Sequence, residues 1–94
     1  MVKVGKYNYE LSTRKGKKLM TVVDDGKIIH FGADGMEHFK DKTGLLPKVL
    51  NHNDKTRRES YLQRTARIKD GKGNLTKNNP KSPNYHARKV LWNA

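Results

Sequence analysis

A turn signal between two apolar runs is the feature that most constrains the fold of this chain. Asp25 and Gly26 separate the runs Lys17–Val23 and Lys27–Phe31. Asp and Gly tolerate the positive φ that a tight hairpin turn requires, so the two runs are predicted to be paired strands. A third run, Lys6–Leu11, alternates apolar and polar residues, as does a strand with one buried face. The pattern predicts an antiparallel β-meander of about three strands.

A helix is predicted over residues 54–69. Asp54 is suited to cap its N-terminus, and Thr56 with Glu59 three residues later offers an alternative capping box. A narrow apolar stripe that includes Tyr61 follows the cap, and arginines cover most of the remaining surface. An ordinary solvated face and a phosphate-binding face are equally good interpretations of these arginines.

A second helix is predicted over residues 83–92. Ser82 followed by Pro83 is typical of an N-cap with proline in the first turn. Trp92 is too large to leave in water, so we expect the C-terminus to dock back onto the sheet.

The segments between these elements differ in polarity. Residues 33–53 are predicted to be irregular with short helices, including one turn that tucks Met36 and Phe39 under the sheet and one that begins near Leu46. Residues 70–82 are rich in Gly, Asn and Lys, which indicates an exposed, mobile loop.

Length and composition favour a single domain over residues 1–94, with the meander in residues 1–32. Hydrophobic residues make up only 33% of the chain, so the core must be thin. The predicted fold class is therefore α+β: a small antiparallel meander packed by two helices, with long basic loops.

The charge of the chain predicts an acidic partner. Lys and Arg total 21 against 9 Asp and Glu, a formal net charge of +12, and such an excess attracts polyanions. Because the basic residues are dispersed, they favour phosphate contacts without reading of base sequence. The residues expected to bind nucleic acid or another acidic partner are Arg14, Lys15, Lys17, Lys18, Arg57, Arg58, Arg64, Arg67, Lys72, Lys77, Lys81, Arg88 and Lys89.

Stacking of aromatic side chains on nucleic-acid bases is an alternative mode of binding. Aromatic residues are only 7% of the chain, and a thin core needs most of them. We therefore expect the aromatic residues to be mainly structural.

No motif indicates catalysis, a metal or a cofactor. Cysteine is absent, which removes thiol nucleophiles and cysteine-ligated zinc and fits a reducing compartment. The spacing of His30, His38, His52 and His86 matches no zinc pattern. We expect no enzyme, with a nuclease as the least favoured alternative, and no membrane segment, since no run approaches about 20 apolar residues.

Several short motifs carry a resemblance. Asp25-Gly26 leads into a strand that ends in Phe31-Gly32, a later helix carries Tyr61-Leu62 followed by Arg64, and the chain closes on Leu91-Trp92. These motifs resemble a family of short, basic, uncharacterised proteins encoded by giant DNA viruses and large-genome tailed phages. The resemblance implies a viral origin and a place in the virion, with the host cell interior as the location during assembly.

The sequence hypothesis is a minor structural protein of a virus or phage particle. Its expected partners are the major capsid protein or other virion proteins, together with the phosphate backbone of packaged DNA or RNA. The alternative is a non-specific nucleic-acid-binding protein that acts in the infected cell.

Overall fold

The sheet has four antiparallel strands in chain order, with two helices packed on it. The computed structural model describes residues 1–94, and the α+β class is confirmed. The strands are β1 (Val2–Val4), β2 (Tyr7–Leu11), β3 (Lys17–Val22) and β4 (Ile28–Ala33), and the helices are α1 (Lys55–Thr65) and α2 (Pro83–Val90). Two short 3₁₀ turns occupy Lys48–Leu50 and Thr76–Asn78. Neither α1 nor α2 is long and apolar enough to cross a membrane.

The first strand, β1, was not predicted. It pairs with β2 in the register Val2↔Tyr9 and Val4↔Tyr7, and Gly5 turns the chain between them with a φ of +63°. Three residues are too few for alternation to stand out in a sequence, so the predicted meander contained three strands instead of four.

The hairpin between β3 and β4 is confirmed. Gly26 has a φ of +81°, and its N–H donates to the Val23 carbonyl at 2.8 Å. The Asp25 carboxylate accepts the N–H of Lys27 at 3.1 Å. Strand β4 continues to Ala33, two residues beyond its predicted end.

The helices begin where their capping residues indicated. The Asp54 carboxylate accepts the N–H groups of Thr56 and Arg57 at 2.9 and 3.2 Å, so the aspartate is the cap that the structure uses. The Ser82 hydroxyl accepts the N–H of Asn84 at 3.3 Å. Both helices end earlier than predicted, because Ala66 and Leu91 are already their C-caps.

The core lies between one face of the sheet and α2. Tyr9, Leu19 and Phe31 from the sheet are buried against Val90 and Leu91 at the end of α2. Leu11 lies on the same side of β2 as Tyr9 but is 53% exposed. The alternating pattern in β2 therefore predicted one buried residue more than the structure has.

The segment between β4 and α1 differs from its prediction. Met36 is 62% exposed rather than tucked under the sheet, and Phe39 is half-buried. The buried residues of this segment are polar, His38, Asp41 and Thr43, and His38 pairs with Asn51 in an isolated parallel bridge. The short helix predicted to begin near Leu46 is present as the 3₁₀ turn Lys48–Leu50, which starts immediately after Pro47.

The C-terminus docks by two different contacts. The N–H groups of Lys40 and Lys42 donate to the carbonyls of Leu91 and Val90 at 3.0 Å each. The Trp92 ring, however, stacks on Tyr61 of α1 at a centroid distance of 4.0 Å. The expectation that the C-terminus would dock back is confirmed by Leu91, which is buried in the core with the sheet residues, and by Trp92, which packs against that core; the stacking of Trp92 on Tyr61 was not predicted.

The loop at residues 70–82 is better anchored than its composition indicated. Thr76 is buried, and its N–H donates to the Ile68 carbonyl at 2.9 Å. The Asp70 carboxylate accepts the N–H groups of Lys72 and Asn74 at 2.8 and 3.0 Å. These hydrogen bonds fold the loop onto the end of α1, so it is not the wholly exposed segment that was predicted.

Candidate anion-binding cleft

A cleft of about 580 Å³ opens between the sheet and the two helices. Strands β3 and β4 form one wall and α1 and α2 form the other. The basic side chains that line it are Lys17, Lys18, Arg57 and Arg64, and the one acidic side chain is Glu37. The structure therefore brings four of the thirteen predicted partner-binding residues together in one concave site.

Lys18 lies at the buried side of this cleft. It is only 5% exposed, and its ammonium donates to the Met36 carbonyl and to Nδ1 of His38, the latter at 2.9 Å. Burial lowers the pKa of Lys18. Lys18 was predicted as a surface contact to a polyanion, and its burial corrects that role.

His38 completes this buried polar chain. Because Nδ1 accepts from Lys18, Nε2 carries the proton and donates to the Asn51 side-chain oxygen at 2.7 Å. Burial, reinforced by the nearby Lys18 charge, lowers the pKa of His38. The neutral ring therefore connects Lys18 to the segment that precedes α1.

Arg64 stands over an aromatic stack on the α1 wall. Tyr61 and Trp92 lie parallel, with an interplanar angle of 8°, and the Arg64 guanidinium lies 5.7 Å from the Tyr61 ring centroid. His52 also contacts Trp92, at a centroid distance of 5.2 Å. These rings are thus engaged with neighbours inside the chain.

The remaining aromatic rings offer no platform for bases either. Tyr7, Tyr9 and Phe31 are buried in the core on the inner face of the sheet. The outer face carries no Phe, Tyr or Trp on β2, β3 or β4, and its half-buried His30 is hydrogen-bonded to the Ser12 hydroxyl at 2.7 Å. Tyr85 and Phe39 are also half-buried; Tyr85 packs edge-on against its neighbours, and the Arg58 guanidinium lies 5.5 Å from the Phe39 ring centroid. The expectation that aromatic residues are structural fits this arrangement, which disfavours base stacking.

Arg57 is paired across the mouth of the cleft. Its guanidinium lies 3.0 Å from a carboxylate oxygen of Glu37, and both side chains are about half exposed. Exposed pairs of this kind contribute little to stability and exchange readily, so the pair leaves Arg57 available to a competing anion.

Two predicted partner-binding residues have internal roles instead. The Arg58 guanidinium donates to the carbonyls of Trp92 and Asn93 at 2.9 and 2.7 Å. Arg88 donates to the Leu62 carbonyl and the Thr65 hydroxyl at 2.7 and 2.6 Å. Both arginines tie helices and the C-terminus together, which sequence patterning cannot distinguish from solvent exposure.

The other predicted residues lie outside the cleft and do not form one patch. Lys81 pairs with Asp25 at 3.2 Å, and Lys77 is partly buried. The residues that are exposed on separate loops and helix ends are Arg14, Lys15, Arg67, Lys72 and Lys89.

Neither buried histidine, His38 nor His86, was predicted from the sequence. His86 accepts the Tyr9 hydroxyl at Nδ1 and donates from Nε2 to the Pro80 carbonyl at 2.6 Å. The sequence did contain one indication that His86 is buried, because it lies beside Ala87 and Val90 on the apolar face of α2. No group of three His, Asp or Glu residues is placed to hold a metal ion.

Comparison with known proteins gives one family match. A family described as "Family of unknown function (DUF5754)" matches residues 8–42. The match covers less than half of the chain and spans β2, β3 and β4 with the segment that contains His38, but neither helix. No curated protein matches the chain, and no solved structure matches it.

Proposed function

We propose that this protein is a non-catalytic, basic structural protein of a virus or phage particle that binds acidic capsid surfaces or packaged nucleic acid. The observation that carries the proposal is the large number of Lys and Arg side chains that form no ion pair with an acidic residue of the same chain. Only three of the 21 Lys and Arg side chains form ion pairs within the chain, through Lys6, Arg57 and Lys81.

An acidic partner would relieve the self-repulsion of these cations. Like charges at this density oppose compactness and attract polyanions. Complementary charge at an interface determines orientation and association rate more than affinity. These properties suit a minor protein that must bind in one orientation where acidic capsid subunits meet.

The outer face of the sheet supports an assembly role over free nucleic-acid binding. Val22 and Ile28 are cross-strand partners and are 57% and 52% exposed. Met20 lies two residues from Val22 on the same face, and Met1 lines the same depression. Exposed apolar residues grouped in this way are typical of surfaces that contact other proteins. The charged phosphate backbone of nucleic acid would gain nothing from contact with these apolar side chains.

The alternative function is non-specific binding of nucleic acid in the infected cell. The basic cleft favours it, because a concave site lined by four cations suits a phosphate chain. Without an aromatic platform, such binding would rest on phosphate contacts and be independent of sequence.

Hydrogen exchange tests the proposal against this alternative. The free protein is compared with the protein plus single-stranded DNA and with the protein plus the major shell protein of the particle. We expect the shell protein to protect β3, β4 and residues 12–18. Protection by DNA alone, with none from the shell protein, would overturn the assembly role.

A pair of variants locates the contact. Replacing Val22 and Ile28 with Thr should weaken capture of the shell protein and leave DNA affinity unchanged, since no charge is altered. Val49→Thr is the matched control, because Val49 is 81% exposed and lies away from the sheet face. Equal effects of the two changes on capture would exclude the outer face as the contact.

A further inference from the structure

The cleft between the sheet and the helices combines the donor groups that phosphate oxygens bind. Its four cations outnumber its single carboxylate, Glu37. Two hydroxyl side chains, Thr56 and Ser60, lie on the α1 wall beside them. Cations together with neutral hydroxyl donors are the usual contacts to phosphate.

Arg64 and Lys17 are the exposed cations in the cleft that form no ion pair, whereas Arg57 pairs with Glu37 at 3.0 Å. Of these two, Arg64 offers the more specific contact to a phosphate. Its guanidinium presents a planar fork of N–H donors that matches two oxygens of one phosphate. Its position over the Tyr61 ring limits the orientations of that fork.

Lys18 places a buried positive charge behind the cleft. Asp34 and Asp41 lie close enough to favour its charged form, but neither carboxylate is within ion-pair distance of its ammonium. A buried charge without a direct counter-ion is costly. An anion in the cleft would offset part of that cost.

The shape of the cleft selects among acidic ligands. A concave site of about 580 Å³ can enclose a phosphate on a thin chain, whereas a flat protein surface that carries carboxylates can contact only its mouth. Tyr61 and Trp92 stack on each other and are also contacted by Arg64 and His52 respectively, so we expect the site to contact the phosphate and not the bases.

We infer that the cleft binds a phosphate group of nucleic acid, with Arg64 and Lys17 at its mouth and Lys18 supplying charge from behind. The phosphate is either a chain terminus or a backbone diester, since both offer the same oxygens. The inference rests on the proposed function and names one site within the wider basic surface.

Two charge-matched pairs of variants test the site. Arg64→Gln removes a cation from the cleft, and Arg67→Gln removes one just beyond the same helix, where the side chain is exposed. Glu37→Gln removes the carboxylate of the cleft, and Glu59→Gln removes an exposed carboxylate of α1 outside it. Affinity for fluorescent single-stranded DNA is measured by anisotropy, with and without a 5′-phosphate.

We expect Arg64→Gln to lower DNA affinity by roughly tenfold or more, because a charge-assisted hydrogen bond is lost. Arg67→Gln should lower it by no more than about threefold, the effect of one diffuse phosphate contact. Glu37→Gln should raise affinity more than Glu59→Gln. Tighter binding of the 5′-phosphorylated strand identifies the terminal group as the ligand, and equal binding identifies the backbone diester.

Equal losses for the two arginine variants, together with equal gains for the two glutamate variants, would overturn the cleft as a site. DNA binding that persisted in that case would leave the proposed function intact. A wild-type protein with no affinity for DNA at low salt would instead overturn both the site and the nucleic-acid part of the proposed function. Near-identical unfolding midpoints for the four variants establish that folding is not the cause.

Discussion

The hydroxyl of Tyr9 lies 2.8 Å from Nδ1 of His86 and donates a hydrogen bond to it, joining β2 to α2 across 77 positions of the chain. His86 is fully buried, and its Nε2–H donates to the Pro80 carbonyl. Both ring nitrogens are therefore satisfied in the neutral form. This polar link inside a thin core fixes the position of α2, which forms one wall of the cleft together with α1.

Removing the Tyr9 hydroxyl should destabilise the fold. Tyr9→Phe leaves Nδ1 of His86 buried without a donor, so we expect the free energy of unfolding to fall by about 1–3 kcal/mol. Tyr85→Phe is the control, because the Tyr85 hydroxyl makes no hydrogen bond and its removal should cost less than about 0.5 kcal/mol. Urea unfolding near neutral pH measures both, and equal losses would contradict the assigned role of the Tyr9 hydroxyl.

Acid should weaken the fold through three histidines. Burial lowers the pKa of His38, His52 and His86 below the ordinary value of 6.5. The unfolded chain then binds protons that the folded chain does not, so stability is full above pH 6.5 and declines as the pH falls below it.

Free energies of unfolding measured above and below pH 6.5 test the direction of this pH dependence. We expect a lower free energy of unfolding on the acid side, with a smaller difference in His86→Gln, which removes one of the three groups. Stability that increased as the pH fell through this window would contradict the neutral, buried state of the rings.

Gly32 should not tolerate a side chain. Its φ is +80°, and a Cβ there would lie 3.0 Å from Cδ1 of Leu91 and 3.1 Å from Cβ of Lys18. We expect Gly32→Ala to cost about 2–4 kcal/mol from backbone strain and overpacking. Gly71→Ala is the control, since Gly71 has an ordinary φ and open space, and a similar loss there would contradict this explanation.

Local chemistry made some of the fold predictable. The turn at Asp25 and Gly26 and the caps at Asp54 and Ser82 each depend on neighbouring residues only, and each is present. The destinations of His38 and Trp92 depend on contacts with distant segments. No periodicity in the sequence encodes those contacts, and they were not predicted.

The candidate site was predictable only in its charge. The sequence indicates that the surface is basic, but Lys17 and Arg64 meet in one cleft only after β3 and α1 have packed. Lys18 and Arg58 look like their exposed neighbours in the sequence, although one is buried and the other binds backbone carbonyls. Side-chain burial is a tertiary property, so composition could not separate these roles.

The two arginines that bind backbone carbonyls should matter for stability rather than for binding. Arg58→Gln and Arg88→Gln each remove hydrogen bonds from a charged donor, and we expect each to cost about 1.5–3 kcal/mol. Arg67→Gln, an exposed arginine without such bonds, should change the free energy of unfolding by less than about 0.5 kcal/mol. Chemical unfolding of the three variants gives the comparison, and identical values for all of them would contradict the internal roles of Arg58 and Arg88.

The salt dependence of binding to mixed-sequence single-stranded DNA tests the central claim, an electrostatic partner surface, most directly. With about three to six phosphates contacted, we expect affinity to fall ~20–300-fold between about 50 and 200 mM salt, with a linear plot of log affinity against log salt concentration. Strands of different sequence should give the same slope and nearly the same affinity. An affinity that is insensitive to salt, or a strong preference for one sequence, would contradict the claim.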